Sequence, residues 1–526
     1  MPSPIRRDRD LPDRRGSRGA QASSRRVHAV KASLTGQACV GTSTLVGTQA
    51  VPVEVQIDVA CGLPAFTIVG LGDAAVLEAR ERVRAAIRAS GYTFPNARVV
   101  VNLAPGPLRK HGTGFDLPIA LALLVATGQI PAELMEQHRA VGEVALDGSV
   151  RCVPGMLAHG LASVADGHAL FGPCQAADAL RTLGGLRYRP LESLRSILGD
   201  RTEKAPQNRH KPAFPEPDLS DVAGHTLAKR ALEIAAAGGH NLLLSGPPGS
   251  GKTMLARRLP GILPPLDDEE RVESAVVHSV AGLDELPILS GSRPFRAPHH
   301  SASIAGLVGG GAPPRPGEVS LAHNGVLFLD ELPEFGPSSL QTLRQPMEDG
   351  RIVLVRAEGR VSFPARFSLV GAANPCPCGY LGDPVRHCTC THAVVTRYRN
   401  RVGGPLMDRI DLALDVERIE PELIVRMATG EDSSSVAARV RQALEVASAQ
   451  GRSRNAVLSG AALIDACRMS PGVADVVSML ARSCHLSGRG VTRLLRVART
   501  IADLDQASAV QKHHVIEAVS YRKQES

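Results

Sequence analysis

The chain has 526 residues, 43% hydrophobic and 21% charged, a length that calls for about two to four globular domains rather than one core. Tryptophan is absent and aromatic residues make up 3%, which argues against base-stacking platforms of the OB or RNA-recognition type. The net charge is +8, but residues 1–26 alone hold eight Arg and three Asp, leaving +3 for the other 500, too little to argue for nucleic-acid binding.

The first 26 residues are rich in Arg, Ser, Pro and Gly and read as a disordered basic tail. Such a tail fits a nucleic-acid contact or a solvated extension. It has no apolar h-region, so a cytoplasmic location is expected. From residue 27 to about 200, strand and helix patterns alternate. Residues 51–59 (VPVEVQIDV) have period two and predict a half-buried strand. Residues 73–90 have helical spacing, with Gly91 as the expected C-cap. A strand is expected over 97–103 and a buried apolar helix over 115–127. Asp147-Gly148 sits between two short runs in 141–150, a hairpin signal. The longest apolar run, 117–126, is about half a membrane span, so no membrane partner is expected. Residues 201–218 are polar and Pro-rich and read as a linker. A second α/β unit is expected over 219–419. Residues 420–526 read as helical, with breaks near Gly451 and at Ser470-Pro471.

The second unit carries the chemistry. A buried strand over 241–245 runs into Gly246, Pro247, Pro248, Gly249, Ser250, Gly251, Lys252 and Thr253, and then into a helix. This is a Walker A loop in its strand–loop–helix setting. Its amides and the helix N-terminus cradle phosphate, Lys252 reaches the β- and γ-phosphates, and Thr253 ligates Mg²⁺. ATP and Mg²⁺ are therefore the expected cofactors. About 80 residues on, the strand Val326–Leu329 ends in Asp330 and Glu331, a Walker B pattern. Asp330 is expected to hold Mg²⁺ and Glu331 to polarise the attacking water. Asn374 ends a third strand, at the sensor-1 position of AAA+ ATPases. Arg409 stands where an arginine finger can reach a neighbouring subunit. Arg489 opens a C-terminal helix and is the first candidate for sensor 2, with Arg493 and Arg496 as alternatives.

Longer stretches point further. Gly70–Asp73 (GLGD), Asn102–Pro105 (NLAP), Phe115–Ala120 (FDLPIA) and Ala235–His240 (AAAGGH) are four of them. Arg293–Ser301 (RPFRAPHHS), Phe328–Phe335 (FLDELPEF), Asn374–Gly379 (NPCPCG) and Gly404–Arg409 (GPLMDR) are four more. With these the chain resembles the ComM/YifB family of magnesium-chelatase-like AAA+ ATPases from Val27 to Ala518. The resemblance implies an α/β multidomain fold. Its parts are a Lon-protease-like (S5-type), ChlI-like N-terminal domain, an AAA+ P-loop core and a C-terminal helical lid. It also implies a homo-hexameric ring that couples ATP hydrolysis to branch migration or helicase-like movement on DNA. DNA and recombination proteins would be its partners in natural transformation. A magnesium-chelatase motor subunit and a protein-remodelling ATPase are the alternatives. In the Lon-like domain, residues 109–115 offer no Ser where such proteases place the nucleophile, and residues 155–157 offer no Lys. Thr113 has a hydroxyl without an evident base. A catalytically inactive, DNA-facing or assembly domain is expected instead.

Two features stand beside this reading. Cys376 and Cys378 form one C-x-C pair, Cys388 and Cys390 another, with His387 and His392 nearby. Structural Zn²⁺, reduced free thiols and redox chemistry all fit the pattern. Arg293, Arg296, His299 and His300 lie in a basic loop that the family turns toward the ring pore, so they are candidate DNA contacts. A hairpin over 352–367, with Glu358-Gly359 at its turn and Arg356 and Arg360 near its tip, is another.

Overall fold

The computed structural model describes residues 35–199, 217–356, 359–419, 422 and 430–522. The expected tail 1–26, residues 201–216 of the expected linker, Glu358 of the hairpin turn and the expected boundary at 420 lie outside them.

The N-terminal unit is a seven-stranded mixed sheet. Its strands are β1 (Gly36–Val46), β2 (Gln49–Ala60), β3 (Ala65–Val69), β4 (Arg98–Ala104), β5 (His138–Ala140), β8 (Ala169–Pro173) and β9 (Tyr188–Leu191). They lie in the order β3-β4-β2-β1-β5-β8-β9. A separate hairpin pairs β6 (Glu143–Val144) with β7 (Val150–Arg151), with Asp147-Gly148 between them as the sequence suggests. In β2 the period-two pattern does its work: Val53, Val55, Ile57 and Val59 are buried, while Glu54 and Asp58 face solvent. The helix Ala74–Ala89 starts at Asp73, whose carboxylate accepts from the Val76 amide. Its C-cap is Ser90 rather than Gly91; the glycine follows at φ 84°, where the chain must turn left-handed. The helix Asp116–Ala126 is buried on nearly every side. Its one charge, Asp116, is buried and takes both bonds of a bidentate Arg82 fork at 2.6 and 2.9 Å.

The second unit is a five-stranded parallel sheet. It comprises β10 (Leu242–Ser245), β11 (Phe295–Arg296), β12 (Gly325–Leu329), β15 (Phe367–Ala373) and β16 (Leu412–Asp415), in the order β11-β12-β15-β10-β16. The near-continuous apolar runs of β10, β12 and β15 are what a parallel sheet covered on both faces requires. Because the strands run the same way, the residues after β10, β12 and β15 gather at one edge. A two-stranded ribbon, β13 (Arg351–Arg356) with β14 (Gly359–Pro364), stands apart from the sheet. Among the described residues from 430 on, five α-helices follow: Ser433–Ala449, Gly460–Cys467, Pro471–Ser483, Gly488–Leu504 and Lys512–Ser520. Their apolar faces share one core with the sheet, in which Leu242, Leu232, Val440, Leu494 and Ile501 are all buried. A smaller cluster joins the first unit to the second: Met156, Leu157 and Leu180 pack with Ala275, Val276 and Val280 of the helix Asp268–Ala281. No described helix is long and apolar enough to cross a membrane.

Two buried histidines tie the fold to pH. Burial pushes His159 down to about 4, and the nearby Arg139 adds to this. Burial also pushes His323 down to about 4, against the pull of Glu273. The geometry agrees for His323, because its Nδ1 accepts from the Arg366 amide at 3.0 Å and has no room for a proton. Unfolded, both rings take up protons near pH 6.5. Between about pH 6.5 and 4 the unfolded chain thus binds more protons, and stability falls as pH falls. Each ring contributes on the order of 3 kcal/mol across that window. Thermal melts are expected to show a Tm several degrees lower at pH 5 than at pH 7.5. A Tm unchanged over that range would contradict the assignment of two neutral buried rings.

Candidate active site

The site is built at the C-terminal edge of the parallel sheet. After β10 the chain turns through residues 246–251 into the short helix Lys252–Ala256. Gly249 and Gly251 have φ of 77° and 85°, and a side chain at Gly246 would collide with the Val416 carbonyl. The turn thus exists only with glycine at these points. Lys252 is 8% exposed. Its ammonium donates to the carbonyls of Gly246 at 2.8 Å and Pro247 at 2.9 Å, and to Asn374 Oδ1 at 3.3 Å. Burial lowers the Lys252 pKa, and Asp330 partly offsets this.

Thr253 and Asp330, the two expected Mg²⁺ ligands, meet directly: Thr253 Oγ1 donates to Asp330 Oδ2 at 2.7 Å. Hydroxyl and carboxylate are the hard oxygen donors that Mg²⁺ takes from a P-loop site, so these residues fit the ion. The other Asp330 oxygen accepts from the Glu331 amide at 2.9 Å. Glu331 itself sits in the left-handed region, φ 51° and ψ 45°, a conformation that costs a non-glycine residue about 1 kcal/mol or more. Its carboxylate pairs with His300, whose Nδ1 lies 3.3 Å away.

The basic loop requires a correction. Arg293 does not reach outward: it donates to the carbonyls of Pro264 and Asn324, both at 2.6 Å, and pairs with Glu270 at 2.8 Å. Arg296 is a bidentate partner of Glu318 at 2.6 and 2.8 Å. Both arginines brace the loop. His299 bonds Ser301 Oγ at 2.8 Å and stacks on His300, which belongs to the Glu331 site. Arg293 and Arg296 are thereby engaged within the chain, whereas His299 is exposed. Arg356 and Arg360 are exposed on the β13–β14 ribbon.

The remaining arginines separate by environment. Arg409 donates to the Pro405 carbonyl at 2.6 Å and pairs with Glu348. Arg493 donates to the carbonyls of Met407 and Ile410 at 2.8 and 2.9 Å, and Arg496 to that of Leu458 at 2.6 Å. These bonds tie Arg493 from the C-terminal helices to the core, and Arg496 within the C-terminal region. Arg489 is 74% exposed and held by Asp408 at 3.3 Å. Of the three sensor-2 candidates it has the freest guanidinium.

Sequence reasoning missed two groups here. The sequence offers His300 as a candidate DNA contact, whereas its partner in the fold is Glu331. The sequence assigns no role to His225. It sits at φ 53° with its Nε2 buried and unpartnered among the described residues, against Gly251 of the phosphate loop. The signal available was its place just before the helix Thr226–Gly238, which leads into β10.

The four cysteines converge: their sulfurs all lie within 4.8 Å of one another. They follow directly on Asn374, and the loop touches the nucleotide site. A Cβ on Gly379 would stand 2.6 Å from the ring of Pro248. In the N-terminal unit, Thr113 lines a cavity of about 530 Å³ that also holds Ser43 and His159. Ser43 Oγ and His159 Nδ1 are 2.7 Å apart, a buried pair that the sequence did not suggest.

Fold and site together define a P-loop unit of the AAA+ magnesium-chelatase type. Three family profiles match: "Magnesium chelatase, subunit ChlI" over 218–424, "Subunit ChlI of Mg-chelatase" over 55–172, and "Magnesium chelatase, subunit ChlI C-terminal" over 430–522. YifB of Escherichia coli (strain K12) is 43% identical over 92% of this chain and 96% of its own length. The competence protein ComM of Haemophilus influenzae is 40% identical over 92% of this chain and 97% of its own. The magnesium-chelatase 67 kDa subunit of Heliobacterium mobile is 30% identical over 30% of this chain and 28% of its own. The chain belongs to the ComM/YifB family of magnesium-chelatase-like proteins.

Proposed function

We propose that the chain is a Mg²⁺-dependent ATPase that assembles as a ring of six and couples hydrolysis to movement on DNA. Branch migration in support of recombination during natural transformation is the activity it serves, in the cytoplasm and alongside recombination proteins. In this reading the N-terminal sheet is a Lon-like domain without a protease's Ser–Lys pair, and the C-terminal helices are the lid. The observation that carries the ATPase is the closure of Thr253 on Asp330 at 2.7 Å, with Glu331 turned outward beside them. The relative named as a competence protein, matched over 92% of this chain, supports the DNA role. So do Arg356 and Arg360, exposed on a ribbon that leaves the sheet.

ATP as substrate would lay its phosphates along the amides of residues 246–251, with Lys252 turning from the loop carbonyls to the β- and γ-oxygens. His225 would meet the nucleoside side. Thr253 and Asp330 would hold Mg²⁺, which would supply neutralisation of phosphate charge. Glu331 takes the proton of the attacking water as its oxygen bonds the γ-phosphorus and the bond to the β-phosphate oxygen breaks, releasing ADP. Asn374 orients the γ-phosphate, and His300 holds the Glu331 carboxylate in line.

The test is steady-state ATPase with and without single-stranded, duplex and four-way-junction DNA at two salt concentrations. DNA is expected to stimulate turnover, less so at high salt. Arg356→Ala and Arg360→Ala are each expected to reduce the salt slope of DNA binding by about one. Unstimulated hydrolysis with no DNA binding would point to a chelatase-type or protein-remodelling motor instead.

A further inference from the structure

We propose that Cys376, Cys378, Cys388 and Cys390 bind one Zn²⁺ as a closed tetrathiolate, and that the ion pins residues 375–391 against the nucleotide site. The sulfurs have the right spacing. A tetrahedron with Zn–S bonds of about 2.3 Å has S–S edges of about 3.8 Å. Here Cys376 and Cys378 are 3.3 Å apart, and each is 3.6 Å from Cys388. All four sulfurs fit around one ion; a multi-iron cluster would hold them farther apart. Four thiolates leave no open position, so the site is structural rather than catalytic. His387, the neighbour of Cys388, lies outside the sulfur group.

The backbone around the sulfurs is arranged for thiolates. The Cys390 amide points at Cys388 Sγ at 3.4 Å. The amides of Tyr380 and Thr389 point at Cys378. Such N–H···S bonds are the outer shell that a metal thiolate uses.

The loop also needs the ion. Neither helix nor strand lies between β15 and the helix His392–Asn400. Cys376 is buried, whereas Leu381, Val385, Arg386 and His387 are exposed. A segment of that length with no core of its own holds one shape through a cross-link. Its outer half is steadied by Arg418 on Asp383 at 2.7 Å, and by the guanidiniums of Arg386 and Arg418 on the Tyr380 ring. The consequence falls on the site: Asn374 lies two residues before Cys376, and Gly379 packs on Pro248. The four sulfurs thus fix one end of the sensor strand and one wall of the phosphate loop.

The full chain, purified without metal-affinity steps, should carry one zinc per chain by elemental analysis. A mercurial should release that zinc as it titrates the four cluster thiols among the chain's ten cysteines. Cys388→Ser is expected to retain at least about tenfold less zinc, while Cys484→Ser, outside the cluster, retains all of it. Because a ligand variant can misfold, stripped wild-type protein gives a second reading. Tryptic cutting after Arg386 should speed up about tenfold on stripping and slow again with Zn²⁺ but not Mg²⁺. Refilling with Co²⁺ should give the visible spectrum of a tetrahedral tetrathiolate. Iron in place of zinc, four free thiols with no metal, or an unchanged cutting rate after stripping would each overturn the proposal.

Discussion

Glu331→Gln is expected to bind ATP with near wild-type affinity and to hydrolyse it at least about a hundredfold more slowly. Glutamine keeps the size of the side chain and the amide that anchors residue 331 to Asp330 at 2.9 Å. It removes the one property hydrolysis asks for, an oxygen able to take a proton. The phosphate loop is untouched, because Lys252 and Thr253 make their bonds elsewhere. Lys252→Ala should do the opposite. It deletes an ammonium whose charge-assisted bonds contribute about 1.5–3 kcal/mol each, so nucleotide affinity falls roughly ten- to hundredfold or more. A fluorescent-nucleotide titration beside single-turnover hydrolysis separates the two defects. Turnover by Glu331→Gln at the wild-type rate would mean that another group is the base. His300, 3.3 Å from the Glu331 carboxylate, would then be examined first.

The parts of this site that lie along the chain are legible in the sequence. A glycine turn between a buried strand and a helix, or two acids at the end of an apolar strand, needs no distant partner to be seen. β2 is legible for the same reason, since its burial alternates residue by residue. β1 is not. Its sequence, GQACVGTSTLV, has no apolar period, and Thr42, Ser43 and Thr44 are buried where the helices Asp116–Ala126 and Met156–Ala165 pack on the strand. Charge misleads in the same way. Arg293 looks like a free cation until the helix Asp268–Ala281 brings Glu270 against it. His300 reads as a loop residue until the parallel pairing of β11 with β12 sets the chain after β11 beside the end of β12. Cysteine spacing identifies a group of sulfurs, but only the fold brings the two C-x-C pairs together.

Arg409 presents the reverse case, a residue whose proposed partner lies on another chain. Its backbone is tightly held. The Asn241 side chain accepts from the Leu369 amide at 2.8 Å and donates to the Arg409 carbonyl at 2.8 Å, so strand order in the core fixes where the guanidinium starts. Within the chain that guanidinium bonds the Pro405 carbonyl at 2.6 Å and rests on Glu348, whose side chain is 61% exposed. A γ-phosphate in a neighbouring subunit is a far stronger partner than one solvated carboxylate. Arg409→Ala is therefore expected to bind ATP normally and to lose about a thousandfold or more in turnover, as removal of an arginine finger does. Its Tm should stay close to that of the wild type. Mixed with equal Lys252→Ala, it should regain activity that neither variant has alone. In a random ring, one interface in about four joins an intact Lys252 to an intact Arg409, which sets the ceiling of rescue near a quarter of wild-type turnover. Differentially tagged subunits would establish that the rings are mixed. Mixed rings without rescue would place the guanidinium's action within its own subunit, and the exchange of Glu348 for phosphate would then have to occur in cis.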